Sequence, residues 1–145
     1  MIVREAEKHE MDRVLDLCCK GAQELSDMFE NQTPEKRVIK DFLNIRSKFP
    51  CLVVERNNEI IGVAPLMGGF YWWNGNPYLT SLIVYITPDG RKTGAVKLLY
   101  DRIKQICIDY DINYIDHYMS SKSNNYISRL TDKVDLNNIG IIVRY

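Results

Sequence analysis

No apolar run in the 145-residue chain approaches the roughly 18 residues that cross a bilayer, so no transmembrane helix is expected. Net charge is missing too. Nineteen basic residues balance nineteen acidic ones, leaving no global field to favour nucleic acid or an anionic membrane. Histidine is scarce, with two residues, and the four cysteines (Cys18, Cys19, Cys51 and Cys107) include no C-x-x-C pair. His9 and His117 have no ligand-like spacing to those cysteines, so no metal is expected. Cys18 and Cys19 are adjacent on a predicted helix, where a mutual disulfide would be strained, and free thiols in a reducing compartment are expected. Met1-Ile2-Val3-Arg4-Glu5 lacks the apolar segment of a signal peptide, so a cytoplasmic protein is expected. Neither the P-loop pattern nor the three-glycine dinucleotide fingerprint occurs.

What remains is the composition of one soluble globular domain over residues 1–145, 46% hydrophobic and 26% charged, long enough to bury a core. Ile2 to Ala6 reads as a strand. Lys8 to Glu24 carries Met11, Val14, Leu15, Leu17, Cys18 and Ala22 at helical period. Residues 26–33 break that pattern. Thr33-Pro34 then predicts a helix start, with Thr33 as N-cap and Pro34 in the first turn, running to Pro50. Cys51–Glu55 and Ile60–Leu66 flank a turn and form a hairpin. Gly68-Gly69 interrupts before Phe70-Tyr71-Trp72-Trp73, and Asn74-Gly75 folds that aromatic run onto a strand from Tyr78 to Ile86. A helix over about 93–109, a strand over 112–119, a short helix from Asn124 to about Asp132 and a last strand over 138–145 complete the order. It predicts a mixed α/β sheet, mostly antiparallel, with helices on both faces and one parallel pair joined by a right-handed crossover.

The segment Leu82 to Ile108 carries the most chemistry. An apolar strand meets Thr87-Pro88-Asp89-Gly90, then Arg91-Lys92-Thr93-Gly94-Ala95-Val96, then a helix. The first helical amides have no partners and carry partial positive charge, and two cations stand beside them. Such a corner is an anion site suited to phosphate, placed where ligands of open α/β sheets bind.

In this element order the chain resembles the GNAT superfamily of acyl-CoA-dependent N-acyltransferases, over nearly its whole length. The match centres on Val84-x-Ile86-x-Pro88-x-x-Arg91-Lys92-Thr93-Gly94, which is similar to the family's apolar strand, proline and Gln/Arg-x-x-Gly-x-Gly/Ala loop. The resemblance implies a single GNAT-like acyltransferase domain using acetyl-CoA, or another acyl-CoA, as co-substrate. It implies that Arg91, Lys92, Thr93, Gly94, Ala95 and Val96 hold the CoA pyrophosphate, that the backbone at Val84 and Ile86 pairs with pantetheine, and that the acyl group lies where this strand and that of residues 114–119 splay apart. Two departures stand out. Val96 replaces Gly or Ala and would crowd the phosphates, unless Ala95 takes the close contact. The usual tyrosine acid falls at Leu130 or Thr131, leaving Tyr126, one turn earlier, as its substitute; Asn124 hints at the accompanying asparagine.

Acyl transfer to an amine needs positioning, a polarised carbonyl and removal of a proton. Candidate bases are His117, Asp116 and Glu55. His117 has a fitting intrinsic pKa, although its alternation with Ile115 and Met119 equally gives a buried structural histidine. Asp116 shares a face with two tyrosines, and Glu55 ends a strand facing solvent. Trp72 and Trp73 form either a cross-strand cluster or an acceptor-side wall, and Glu30 belongs to an acidic loop suited to a cationic amine. The expected activity is transfer of an acetyl or other acyl group from CoA to a primary amine of a small molecule or protein, by direct attack in a ternary complex. The alternative is a GNAT-fold module that binds acyl-CoA or a protein partner with little catalysis. A homodimer covering the terminal strand edge is expected, and nucleic acid and membrane partners are not.

Overall fold

The computed structural model describes residues 1–28, 33–45, 48–112 and 115–116. Strand β1 (Ile2–Glu5) leads through a 3-10 turn at Lys8–Glu10 into helix α1 (Met11–Met28), and α2 (Lys36–Leu43) follows. Then come β2 (Cys51–Arg56), β3 (Glu59–Phe70), β4 (Pro77–Ser81), β5 (Tyr85–Ile86), α3 (Ala95–Asp109) and β6 (Ile115–Asp116). The sheet order is β1-β2-β3-β4-β6, with β5 also paired to β3. All pairings are antiparallel except β4 with β6, joined through α3 and aligned parallel at Leu79–Ile115 and Thr80–Asp116. This is the mixed, mostly antiparallel sheet that the sequence predicts.

Strand alternation divides the core. Leu52 and Val54 on β2, with Ile61, Ala64 and Leu66 on β3, pack under Ala95, Leu99, Ile103 and Ile106 of α3. Val53, Ile60 and Val63 point the other way, against Val14, Leu17 and Cys18 of α1. Helices therefore cover both faces. A further tie joins β1, the 3-10 turn and β2: Arg4 bridges Glu10 at 2.7 Å and Glu55 at 2.6 Å. The Arg4 hydrogen bond, then the Glu7 backbone N–H, pull the Glu10 carboxyl down to about 2 from its ordinary 4.5. Its stabilisation is thus complete above pH 4.5 and lost as pH falls through about 2. Glu10→Gln should cost on the order of 1 kcal/mol at neutral pH. Its unfolding midpoint should also change less than the wild type's between pH 5 and about 2, as measured by urea titrations across that range.

Several boundaries differ from the predicted ones. Helix α1 runs on to Met28 rather than stopping at Glu24, helped by a Gln23–Asp27 side-chain hydrogen bond of 3.0 Å. Helix α2 starts at Lys36 with extended Glu35 as N-cap, and Ile39 N–H donating to the Glu35 carbonyl. Pro34 restricts Thr33 to extended backbone without bringing it into the helix. Strand β3 runs straight through Gly68 and Gly69, the predicted interruption. Both glycines lie under rings: an added Cβ would come within 2.2 Å of the Phe49 ring at Gly68 and 2.6 Å of the Tyr78 ring at Gly69. Their missing side chains make room for aromatics rather than ending the strand. The helix predicted from Asn124 and the last strand lie outside the described residues.

Candidate functional site

The strand predicted over 78–86 is broken into β4 and β5. From the Leu66–Ser81 pair to the Val63–Tyr85 pair, β3 advances three residues and the facing strand four. The extra residue is a β-bulge. Leu82 and Ile83 both turn toward α1 and α2, while Val84 turns to the α3 side. Leu82 N–H still reaches the Pro65 carbonyl at 3.0 Å, but among the described residues the N–H and C=O groups of Ile83 and Val84 have no backbone partner. The bulge therefore opens the strand's hydrogen-bonding groups just before its carboxyl end.

Beyond Ile86 the chain coils tightly. Thr87 N–H donates to the Ile61 carbonyl at 2.8 Å, extending the pairing with β3, and Pro88 follows. The N–H groups of Gly90 and Arg91 donate to the Thr87 carbonyl. Thr93 donates to the Gly90 carbonyl through both its N–H, at 3.2 Å, and its hydroxyl, at 2.6 Å. Gly94 then takes φ +83°, the left-handed region open to glycine. The helical ladder opens with Leu98 N–H donating to the Gly94 carbonyl, so the amides of Ala95, Val96 and Lys97 precede it. Among the described residues, the amides of Lys92 and Gly94 also have no backbone carbonyl partner. A Cβ on Gly94 would meet nothing within 4 Å, which leaves room beside these donors. Unpaired amides at the positive end of a helix, bordering open space, are a donor set that fits a diphosphate.

The side chains of the loop divide their work. Arg91 donates from Nε to the Ile86 carbonyl at 2.9 Å and from Nη2 to Glu24 of α1 at 2.5 Å. Its guanidinium also lies 5.6 Å from the centre of the Tyr85 ring. Arg91 thus braces the loop against β5 and α1, and the Ile86 carbonyl is already engaged. Lys92 is exposed and has no ion pair among the described residues. The side chain of Val96, expected to crowd the phosphates, packs against the α3 core cluster. Ala95 is fully buried in that same cluster, where its small side chain serves helix-to-sheet contact.

On the opposite face the bulge borders a cavity of about 230 Å³. Helix α1 contributes Cys18, Ala22 and Leu25, and α2 contributes Val38, Ile39, Phe42 and Leu43. Pro65, Leu82 and Ile83 close it from the sheet. Gly21 lets α1 come this close, since a Cβ there would fall 2.5 Å from Ile83 Cδ1. Sequence reasoning missed the cavity. Its signal was the unbroken apolar run Leu82-Ile83-Val84, which cannot alternate cleanly between two faces.

The other predicted residues are dispersed. Glu55 is not a free solvent-facing carboxylate: it accepts from Arg4 Nε at 2.7 Å and is mostly buried, which removes its freedom to act as a base. Asp116 pairs with Thr80 through the β4–β6 ladder, which places residue 116 one residue short of the level of the bulge. Trp72 and Trp73 stand at the hairpin tip, at the amino end of β4, with the bulge and loop beyond its carboxyl end. There Tyr71 stacks on Trp73 at 4.3 Å and meets Tyr78 at 4.8 Å, forming a cross-strand cluster, while Trp72 is 91% exposed. His117, Asn124, Tyr126 and Glu30 lie outside the described residues. All four cysteines are free. Burial pushes the thiols of Cys18 and Cys51 up to about 12 and that of Cys107 to about 11, which makes them poor nucleophiles. Among the described residues no helix is long and apolar enough to cross a membrane, and no cluster of three acidic, histidine or cysteine side chains could hold a metal.

No protein-family model matches the chain, and no curated protein matches its sequence. Its fold has clear counterparts. A possible acetyltransferase from Clostridium difficile superposes with a TM-score of 0.71 at 20% identity, over 99% of this chain and 91% of its own. An aminoglycoside acetyltransferase from an uncultured soil metagenomic sample, solved with sisomicin, gives 0.67 at 11% identity, over 90% and 85%. A GNAT family acetyltransferase from Staphylococcus aureus gives 0.58 at 18% identity, over 80% and 84%. The chain has the fold of the GNAT acetyltransferases.

Proposed function

We propose that the protein is an N-acyltransferase that moves an acetyl or other short acyl group from a CoA thioester to a primary amine. The observation that carries this reading is the set of unpaired amides of Lys92 and of Gly94 to Lys97, with Gly94 left-handed, beyond the carboxyl end of a bulged strand, in a fold shared with acetyltransferases. The amides take the diphosphate of CoA and exposed Lys92 adds a cation. The opened groups of Ile83 and Val84 pair with the pantetheine arm, in place of the engaged Ile86 carbonyl. An N–H at the bulge polarises the thioester carbonyl.

In this reading the neutral amine nitrogen attacks the thioester carbon, the C–S bond breaks, and CoA leaves as a thiolate that takes up the proton lost by the nitrogen on attack. Proximity supplies much of the rate, because both reactants are held at the bulge. Direct attack is favoured over an acyl-cysteine route because three of the four thiols are held protonated by burial. Asp116 or His117 is assigned as the base that first deprotonates the acceptor's ammonium group, with the backbone of Asp116 set opposite Thr80 on the strand that leads to the bulge. Purified protein with acetyl-CoA and a panel of primary amines should release free thiol in proportion to amine added. Lys92→Ala should weaken acetyl-CoA binding about threefold to tenfold, the size of one partly exposed charge-assisted contact. CoA binding without thiol release from any amine would leave only a binding module.

A further inference from the structure

The cavity behind the bulge bears on the kind of amine accepted, an assignment that rests on the acyltransferase reading. We propose that it receives a hydrocarbon body carried by the acceptor, of the size of a phenyl ring with a short alkyl tether. Among the described residues, no side chain lining it carries a nitrogen or oxygen, and the one side-chain heteroatom is the Cys18 sulfur. A polyhydroxylated polycation such as an aminoglycoside would leave its hydroxyls and ammonium groups unpaired there, which is costly. The volume of about 230 Å³ is half as large again as the ~150 Å³ apolar cavity that takes benzene.

Position selects the acceptor over the acyl donor. The donor's diphosphate is assigned to the α3 end of the loop, and α3 covers one face of the sheet. The cavity opens on the other face, under α1 and α2, with Leu82 and Ile83 as its wall. A group seated on Leu82 and Ile83 therefore approaches the bulge from the face that the CoA anchor leaves free. Val38 and Phe42, 44% and 47% exposed, flank an open mouth rather than a sealed void. An amine held by its apolar body would project its nitrogen along the wall to the opened backbone at Ile83 and Val84.

The test compares 2-phenylethylamine and n-hexylamine with ethanolamine at fixed acetyl-CoA, alongside calorimetric binding of 2-phenylethylamine to protein holding CoA. The expected result is a rise in kcat/KM of roughly fourfold for each buried methylene, and saturable binding of the aromatic amine. Ala22→Leu, which fills the cavity from α1, should lower the ratio of 2-phenylethylamine to ethanolamine kcat/KM at least tenfold. Phe42→Ala, on the half-exposed wall, should lower it by a smaller factor, and melting curves check that both variants fold. Equal turnover of all three amines would overturn the proposal while leaving the acyltransferase reading intact. Saturable binding without turnover of any amine would overturn the acyltransferase reading and the acceptor assignment with it, leaving the cavity as an apolar ligand site only. Chain-length preference in a series of acyl-CoA donors, absent from the amine series, would assign the cavity to the acyl group and overturn the proposal.

Discussion

Replacing Gly94 with valine should abolish most acetyl-CoA binding while leaving the protein folded. Gly94 sits at φ +83°, where an L residue costs roughly 1–2 kcal/mol and a β-branched one more. Nothing lies within 4 Å of an added Cβ, so the fold itself meets no clash. The side chain would instead project into the open space bordering the amides of Ala95 and Val96. Two effects then combine: the N-terminal turn of α3 shifts to relieve backbone strain, and the diphosphate loses room. Calorimetric titration should show acetyl-CoA affinity reduced at least tenfold, with the melting temperature lowered by only a few degrees. Gly94→Ala, with the smaller side chain, should fall between the valine variant and the wild type.

The largest stability loss should come from Leu99→Ala. Leu99 is fully buried on α3, between Ala95 and Ile103 and against the sheet face formed by Leu52, Val54 and Ile61. Emptying such a site removes both transfer free energy and packing, and typically costs 2–5 kcal/mol. For a domain of this length that corresponds to a fall in melting temperature on the order of 10 °C. The position also matters to the site. Leu99 directly follows Leu98, whose N–H makes the first ladder bond, so a loosened helix should bind acetyl-CoA more weakly even at temperatures where the variant is folded.

These two residues show what the amino-acid order revealed and what it concealed. Period-two alternation in Cys51–Glu55 and helical spacing in Val96–Cys107 come from local geometry, so β2, α3 and the parallel crossover were legible. The loop was legible as well, because glycine and proline act within a few residues of themselves. The bulge was not. An apolar run of three residues satisfies either face of a strand, and the choice at Leu82 and Ile83 is made by α1 approaching across Gly21. The role of Arg91 was hidden for the same reason: its partner, Glu24, lies 67 residues away. Gly68 and Gly69 read as a break until the rings of Phe49 and Tyr78 were placed over them. Glu55 looked free because Arg4, its partner, comes from a different strand.

The most direct measurement is an amide-resolved NMR titration of the protein with CoA. Binding of the diphosphate at the start of α3 should move the N–H resonances of Lys92, Gly94, Ala95 and Val96 most, with smaller movements at Ile83 and Val84 along the bulge. Saturating CoA that leaves these six amides in place, or that moves resonances at another part of the sheet instead, would contradict the assignment.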